Sequence, residues 1–269
     1  MTSSSLAGIE TSFGLDILNS INTSESYVFS PISLLFTLAI LGPKQFGSSA
    51  TVAEKYSEYG LKDTDVYKYL KRDLEDVVVR GDSGMKDVKV DARNESRIMF
   101  NQAWASRFPH ELLRSGKFYP SGTSSKQVIY YKNQSEFLFS EDDVFKTLSI
   151  AYDNGNLFFV AFLPNENILL KDALKKLTKS RFHGLLFNAT TELVNVTIPK
   201  FEIIQLLINS KQLGLQPPIK TMMSYKLYPR VADILHRPYN RDPYYFRADR
   251  PFIFSILRQN RPVYFGIYS

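Results

Sequence analysis

Residues 157–164 read Leu-Phe-Phe-Val-Ala-Phe-Leu-Pro, an unbroken apolar run closed by proline. A strand that is apolar at every position has no face to show to water, so the run reads as a buried strand inside a large core. The chain is long enough to build one: it has 269 residues, 44% of them apolar and 22% charged, the balance of a globular protein that needs no staples. Its 20 Phe and 16 Tyr favour strands, which predicts substantial β content. The sequence contains no cysteine, which excludes a disulfide framework, a cysteine zinc site and a thiol nucleophile.

Around that run the chain alternates helical and strand signals. Residues 6–21 place Leu6, Ile9, Phe13, Ile17, Leu18 and Ile21 at helical spacing. Tyr27-Val28-Phe29 reads as a short strand, and a helix follows it directly. Ser30 is placed to cap that helix, Pro31 fits its first position, and Gly42-Pro43 ends it. Residues 50–79 read as helical, and residues 80–84 as a turn. Strands are expected at 88–91, 97–104, 127–132, 136–140 and 157–163, then at 193–204 with an interruption at Pro199. Helices are expected at 169–177 and 203–213. Phe252–Leu257 and Val263–Tyr268 read as a hairpin turning through residues 258–262. The pattern is that of an α+β chain with one large core, organised as a single domain over residues 1–269.

Signs of chemistry are sparse. The three histidines, His110, His183 and His236, form no metal-ligand spacing, and there is no nucleophile elbow, Walker loop or dinucleotide fingerprint. Asp142-Asp143 reads as solvated charge in a polar loop, not as half of an acid–base pair. No enzyme activity, cofactor or metal is expected. The net charge of +6 is scattered among acidic residues, so no nucleic-acid partner is expected. No apolar run is long enough to span a membrane. The first residues, MTSSSLAGIETSFGL, lack a basic start and an apolar stretch, so a cytoplasmic location is expected over secretion. Arg80-Gly81-Asp82 spells an adhesion tripeptide in a predicted turn, where an ordinary polar turn is the plainer reading. Asn-x-Ser/Thr sequons occur at Asn22, Asn94, Asn133, Asn188 and Asn195 and are read as incidental, Asn195 falling in an expected strand.

Several segments, in order, resemble serpins. Phe29-Ser30-Pro31-Ile32-Ser33-Leu34 resembles that family's "SPxSI" helix start. Ile98–Trp104 with Phe108 is similar to "YFKGxWxxxF". Leu148–Tyr152 with Leu157–Pro164 resembles "L.LPY.....SM.I.LP". Val196–Phe201 resembles "V.LPKF", and Leu213-Gly214 stands for a later "LG". Ala248–Phe254 is close to "ADHPFLF", and Val263–Gly266 to "LFFGR". The resemblance implies an α+β serpin fold: N-terminal helices packed on a large, mostly antiparallel sheet, with a second sheet or barrel and a closing C-terminal hairpin. It also implies roles. Ser30, Ser33 and His236 match the "shutter" beneath the central sheet, Trp104 matches the "breach", and the shutter asparagine falls on Ser96.

The departures from the pattern set the expected function. Only nine residues separate His236 from Phe246, and the alanine-rich hinge is missing. Nine extended residues reach about 30 Å at most, which leaves little slack for a protease bait. Serpin inhibition inserts the cleaved loop into the central sheet, and the prolines at 238 and 243 remove ladder donors from any such strand. The chain therefore resembles a pruned serpin of the kind encoded by poxviruses. That implies a host-modulating virulence factor that does not trap proteases, acting as a monomer in the infected cell on a host protease or other host protein. Two alternatives stay open: a short bait over residues 237–247 offering Arg237, Arg241, Asp242 or Arg247, and an adhesion ligand using Arg80-Gly81-Asp82.

Overall fold

The computed structural model describes residues 8–41, 57–59, 66, 68–72, 85–91, 95–100, 113–121, 124–152, 157–205, 220–226 and 242–269, with backbone alone at 37–41, 85–91, 95–100, 202–205 and 220–226. Its helices are α1 (Ile9–Ser20), α2 (Pro31–Leu41), α3 (Leu170–Lys176) and α4 (Lys179–Phe187). Its strands are β1 (Tyr27–Phe29), β2 (Met85–Asp91), β3 (Glu95–Phe100), β4 (Leu113–Ser121), β5 (Ser124–Glu141), β6 (Phe145–Ala151) and β7 (Leu157–Pro164). The remaining strands are β8 (Thr190–Pro199), β9 (Glu202–Gln205), β10 (Lys220–Lys226), β11 (Tyr244–Arg247), β12 (Phe252–Arg258) and β13 (Arg261–Tyr268).

Among the described residues these strands form two sheets. The larger has nine strands in the order β1-β13-β12-β7-β6-β5-β8-β11, with β4 added along β5, and it is antiparallel except where β11 runs parallel to β8. The smaller has four strands in the order β2-β3-β10-β9. The C-terminal hairpin β12–β13 sits inside the larger sheet, between β1 and β7.

The apolar run that opens the sequence argument is β7, and it is covered on both faces. Side chains alternate across a strand. Phe159 stacks on Phe254 at 5.8 Å on one face, where Phe201, Phe252 and Tyr268 join the cluster at ring separations of 4.7–6.1 Å. On the other face Phe162 stacks on Phe182 of α4 at 5.1 Å, and Phe182 meets Phe265 at 5.4 Å. Each fully buried ring of this kind contributes about 1.5–3 kcal/mol, more than a typical hydrogen bond, so these two layers set the core.

Close approach places the N-terminal helices on that core. Gly14 of α1 lies against the Phe265 ring, and a Cβ at this position would sit 3.0 Å from Pro31 Cγ. The missing side chain lets α1 cross over α2 and β13 at short range. Gly266 of β13 leaves room for the Phe254 ring, and a Cβ there would also come within 2.6 Å of the Tyr27 carbonyl on β1.

Several elements differ from the sequence reading. The strands expected at 127–132 and 136–140 are one strand, β5, because the β8 ladder continues through Asn133, Gln134 and Ser135, where backbone pairing is indifferent to side-chain polarity. The helix expected from residue 203 gives way at Glu202–Gln205 to strand β9, where pairing with β10 overrides helical periodicity; residues 206–213 lie outside the described residues. The hairpin turn is two residues, not five: Gln259 (φ 50°) and Asn260 (φ 61°) both take the left-handed conformation, and Arg258 pairs with Arg261. Positive φ at both central positions matches the right-handed twist of the flanking strands. Helix α4, with Thr178 as its cap, and strands β4 and β10 are additions that local pattern had not indicated.

Candidate functional site

Ser30 and Ser33 lie where β1 turns into α2. Both are buried, at 0% and 1% exposure. The Ser33 amide donates to Ser30 Oγ (3.4 Å) and the Leu34 amide to the Ser30 carbonyl (3.1 Å), so Ser30 is the N-cap expected from sequence. Strand β1 packs against β9 and β10. The two hydroxyls are therefore placed at the junction of the helix layer and the four-stranded sheet.

That sheet is continuous. Its middle strands, β3 and β10, run parallel and pair directly from Glu95↔Lys220 to Phe100↔Tyr225, with β2 and β9 completing the edges. Ser96 pairs opposite Thr221. Strand β10 ends at Lys226, ten residues before His236.

The stretch that leads into the hairpin is held to the body. Asp242 is exposed. Residues 244–247 form β11, parallel to β8 from Tyr244↔Val194 to Arg247↔Thr197, and the Ala248 amide extends the ladder to the Thr197 carbonyl (2.8 Å). Phe246 is buried while Tyr244 and Tyr245 remain exposed. Arg247 Nε reaches Asp249 Oδ2 at 2.8 Å, which commits its guanidinium to a neighbour in the chain. The Asp249 carbonyl accepts from the Tyr119 amide (2.8 Å), and Arg250 donates through Nε and Nη2 to the Pro164 carbonyl (3.2 and 2.7 Å). The Ala248–Phe252 motif thus ties β4, the end of β7 and the start of β12 together. Trp104, His236, Arg237, Arg241 and Arg80-Gly81-Asp82 lie outside the described residues.

Other polar clusters do structural work. Asp142 is not merely solvated: its Oδ1 accepts from the Val144 and Phe145 amides (2.7 and 2.8 Å), while its Oδ2 and Asp143 Oδ1 face Arg181 Nη1 at 3.4 and 3.1 Å. Glu10, 1% exposed, accepts at Oε1 from Arg261 Nη2 (2.6 Å) and from the Tyr69 hydroxyl (2.9 Å), joining α1 to the hairpin turn. Nothing in the local sequence marks Glu10 as buried, because its partner lies 251 residues away. Lys126 Nζ lies 5.0 Å from the Phe118 and Tyr268 ring centres and donates to the Ser269 carbonyl, and desolvation lowers its pKa from the usual lysine value. Burial likewise lowers the pKa of His183, with Lys179 adding to the effect. Among the described residues no group of His, Asp and Glu could hold a metal ion, and no helix is long and apolar enough to cross a membrane.

These two sheets and their connections are shared with solved serpins. The chain superposes on native-state tengpin, a thermophilic serpin, with a TM-score of 0.71 at 16% identity, covering 99% of this chain and 94% of that one. A tumour-suppressing serpin gives 0.78 at 14% identity with 99% of each chain covered, and SRPN18 of Anopheles gambiae gives 0.77 at 13%, covering 99% and 98%. The fold is that of a serpin.

Sequence comparison agrees. The family model described as Serpin (serine protease inhibitor) matches residues 93–216. Human Serpin B4 is 26% identical over 141 residues, which is 51% of this chain and 35% of the relative. An uncharacterised serpin-like protein of Methanosarcina acetivorans is 30% identical over 105 residues, 39% of this chain and 24% of the relative. The chain thus spans about a third or less of the length of these curated relatives, and the serpin likeness in sequence is carried by residues 93–216.

Proposed function

We propose that this protein is a serpin-fold binding protein that modulates a host protein without trapping a protease by loop insertion. The observation that carries the reading is the short connection before the hairpin: only nine residues separate His236 from Phe246, with no alanine-rich hinge, while β3 and β10 pair directly. Insertion would require every ladder position from Glu95↔Lys220 to Phe100↔Tyr225 to part, and the new strand would have to come from residues 227–243. Those residues contain Pro229, Pro238 and Pro243, each of which lacks a ladder donor. The β11 ladder and the Ala248 amide then hold the chain to β8 immediately after that stretch. In this reading the setting is a virally infected host cell, which rests on resemblance to the pruned serpins of large DNA viruses.

The test is to titrate the protein with trypsin-like and caspase-type proteases and look for an SDS-stable adduct. No adduct is expected. Cleavage within residues 227–243 should leave the melting temperature unchanged or lower, since no strand is added to the sheet. An adduct, or a rise in melting temperature on cleavage, overturns the reading. A second reading is a short bait, favoured by Arg237 and Arg241 in the connection before β11. It requires reversible inhibition of a trypsin-like protease that is lost in Arg237→Ala or Arg241→Ala.

A further inference from the structure

Among the four sequons whose asparagine is described, one differs from the others in its geometry. Asn22-Thr23-Ser24 lies in the turn between α1 and β1, with Asn22 and Ser24 both exposed. Asn22 Oδ1 accepts from the Ser24 amide (3.1 Å) and from the Ser24 hydroxyl (2.8 Å). Both donors fall on the amide oxygen, so Nδ2 is the atom left for bond formation, and the hydroxyl of the sequon already rests on the amide it would assist. A cavity of about 130 Å³ adjoins the residue, with Leu18, Ile21 and Leu174 as apolar lining and Asn19, Thr23 and Lys171 as polar lining. A pyranose ring has the same two characters, an apolar face and a rim of hydroxyl and acetamido groups.

The other described sequons lack this combination. Asn133 and Asn195 are half-buried within β5 and β8, and Asn195 is flanked by paired strands on both sides. Asn188 is exposed at the end of α4, but the Thr190 hydroxyl donates to Glu192 Oε1 (3.1 Å). Asn94 lies outside the described residues.

We propose that Asn22 is the sequon of this chain that accepts an N-glycan when the chain is routed into a secretory lumen, with the first sugar seated in the adjoining groove. The donor class is an oligosaccharide linked through pyrophosphate to a lipid. A C–N bond forms between Asn22 Nδ2 and the anomeric carbon, the anomeric C–O bond breaks, the lipid pyrophosphate leaves with the electron pair, and the amide gives up one proton. This assignment does not depend on how the protein treats proteases.

The test is expression of the full chain behind a cleavable secretory leader in human cells, followed by peptide-N-glycosidase F digestion and peptide mass spectrometry. One glycan at Asn22 is expected, lost in Asn22→Gln and Ser24→Ala, retained in Ser24→Thr, and unaffected by Asn133→Gln, Asn188→Gln or Asn195→Gln. The Ser24 pair keeps the test decisive if Asn22→Gln folds poorly. Enzymatic removal of the glycan should raise hydrogen exchange at residues 169–175. An unmodified wild-type chain, a glycan that survives Asn22→Gln, or unchanged exchange beside the groove overturns the proposal.

Discussion

The nine-stranded and four-stranded sheets of this serpin fold are built on different terms. The larger sheet carries strands that are apolar almost throughout, Leu157–Pro164, Phe252–Arg258 and Arg261–Tyr268, with aromatic layers on both faces of β7. The smaller sheet is made of short strands whose sequences mix charge and apolar residues, Met-Lys-Asp-Val-Lys-Val-Asp in β2 and Lys-Thr-Met-Met-Ser-Tyr-Lys in β10. Its middle pair is parallel, the slightly weaker arrangement. The contrast separates an aromatic-packed scaffold from a sheet of shorter, more polar strands.

The most severe way to probe that contrast is to remove a ring from the scaffold. Phe254→Ala should lower stability by about 4 kcal/mol, because Phe159, Phe201 and the Gly266 surface all lose their partner. Chemical denaturation reads this directly, and a loss under about 1 kcal/mol would mean the layer is not the main source of stability. Gly266→Ala should cost about 3 kcal/mol, since the added methyl meets a ring and the Tyr27 carbonyl, and the carbonyl cannot rotate away.

Native-state hydrogen exchange compares the sheets without mutation. Amides in 95–100 and 220–226 should exchange about 100-fold faster than those in 252–257 and 263–268. Equal protection would erase the distinction between the two regions.

The smallest effect is a pH dependence confined to the scaffold. Burial pushes the phenols of Tyr27 and Tyr268 up to about 12. The folded state holds these protons more tightly than the unfolded chain, whose tyrosines titrate near 10. This contribution is fully present below pH 10 and is lost as pH rises from 10 to 12. Thermal melts across that window should show the decline, and Tyr268→Phe should make it shallower. An unchanged slope in the variant would remove Tyr268 as a source.

Much of the fold was legible because it is local. The Ser30-Pro31 start of α2 follows from a hydroxyl cap and a residue that lacks the amide a first turn cannot use. Strand β7 follows from an apolar run, and the hairpin from two such runs around a turn. The site was legible only in part. Ser30 and Ser33 are buried at the start of α2, but whether β3 and β10 touch is a matter of strands about 120 residues apart in sequence. Strand β9 fell where an expected strand ending at 204 overlapped an expected helix starting at 203, because periodicity is ambiguous over a few residues and its partner strand carried no signal of its own.

By itself, then, the sequence determined which segments must be buried, where the helices begin, and that the chain offers a serpin framework with a short connection before its last hairpin. Each of these depends on neighbours a few residues apart. Only the tertiary structure decided that the four-stranded sheet is closed, that residues 244–248 are laced to β8, that Glu10 is buried against Arg261, and that Asn22 alone among the described sequons holds its serine hydroxyl on its own amide beside a groove. Those facts arise from pairings and contacts between distant segments, where backbone hydrogen bonding and packing choose among partners that look alike in the linear chain.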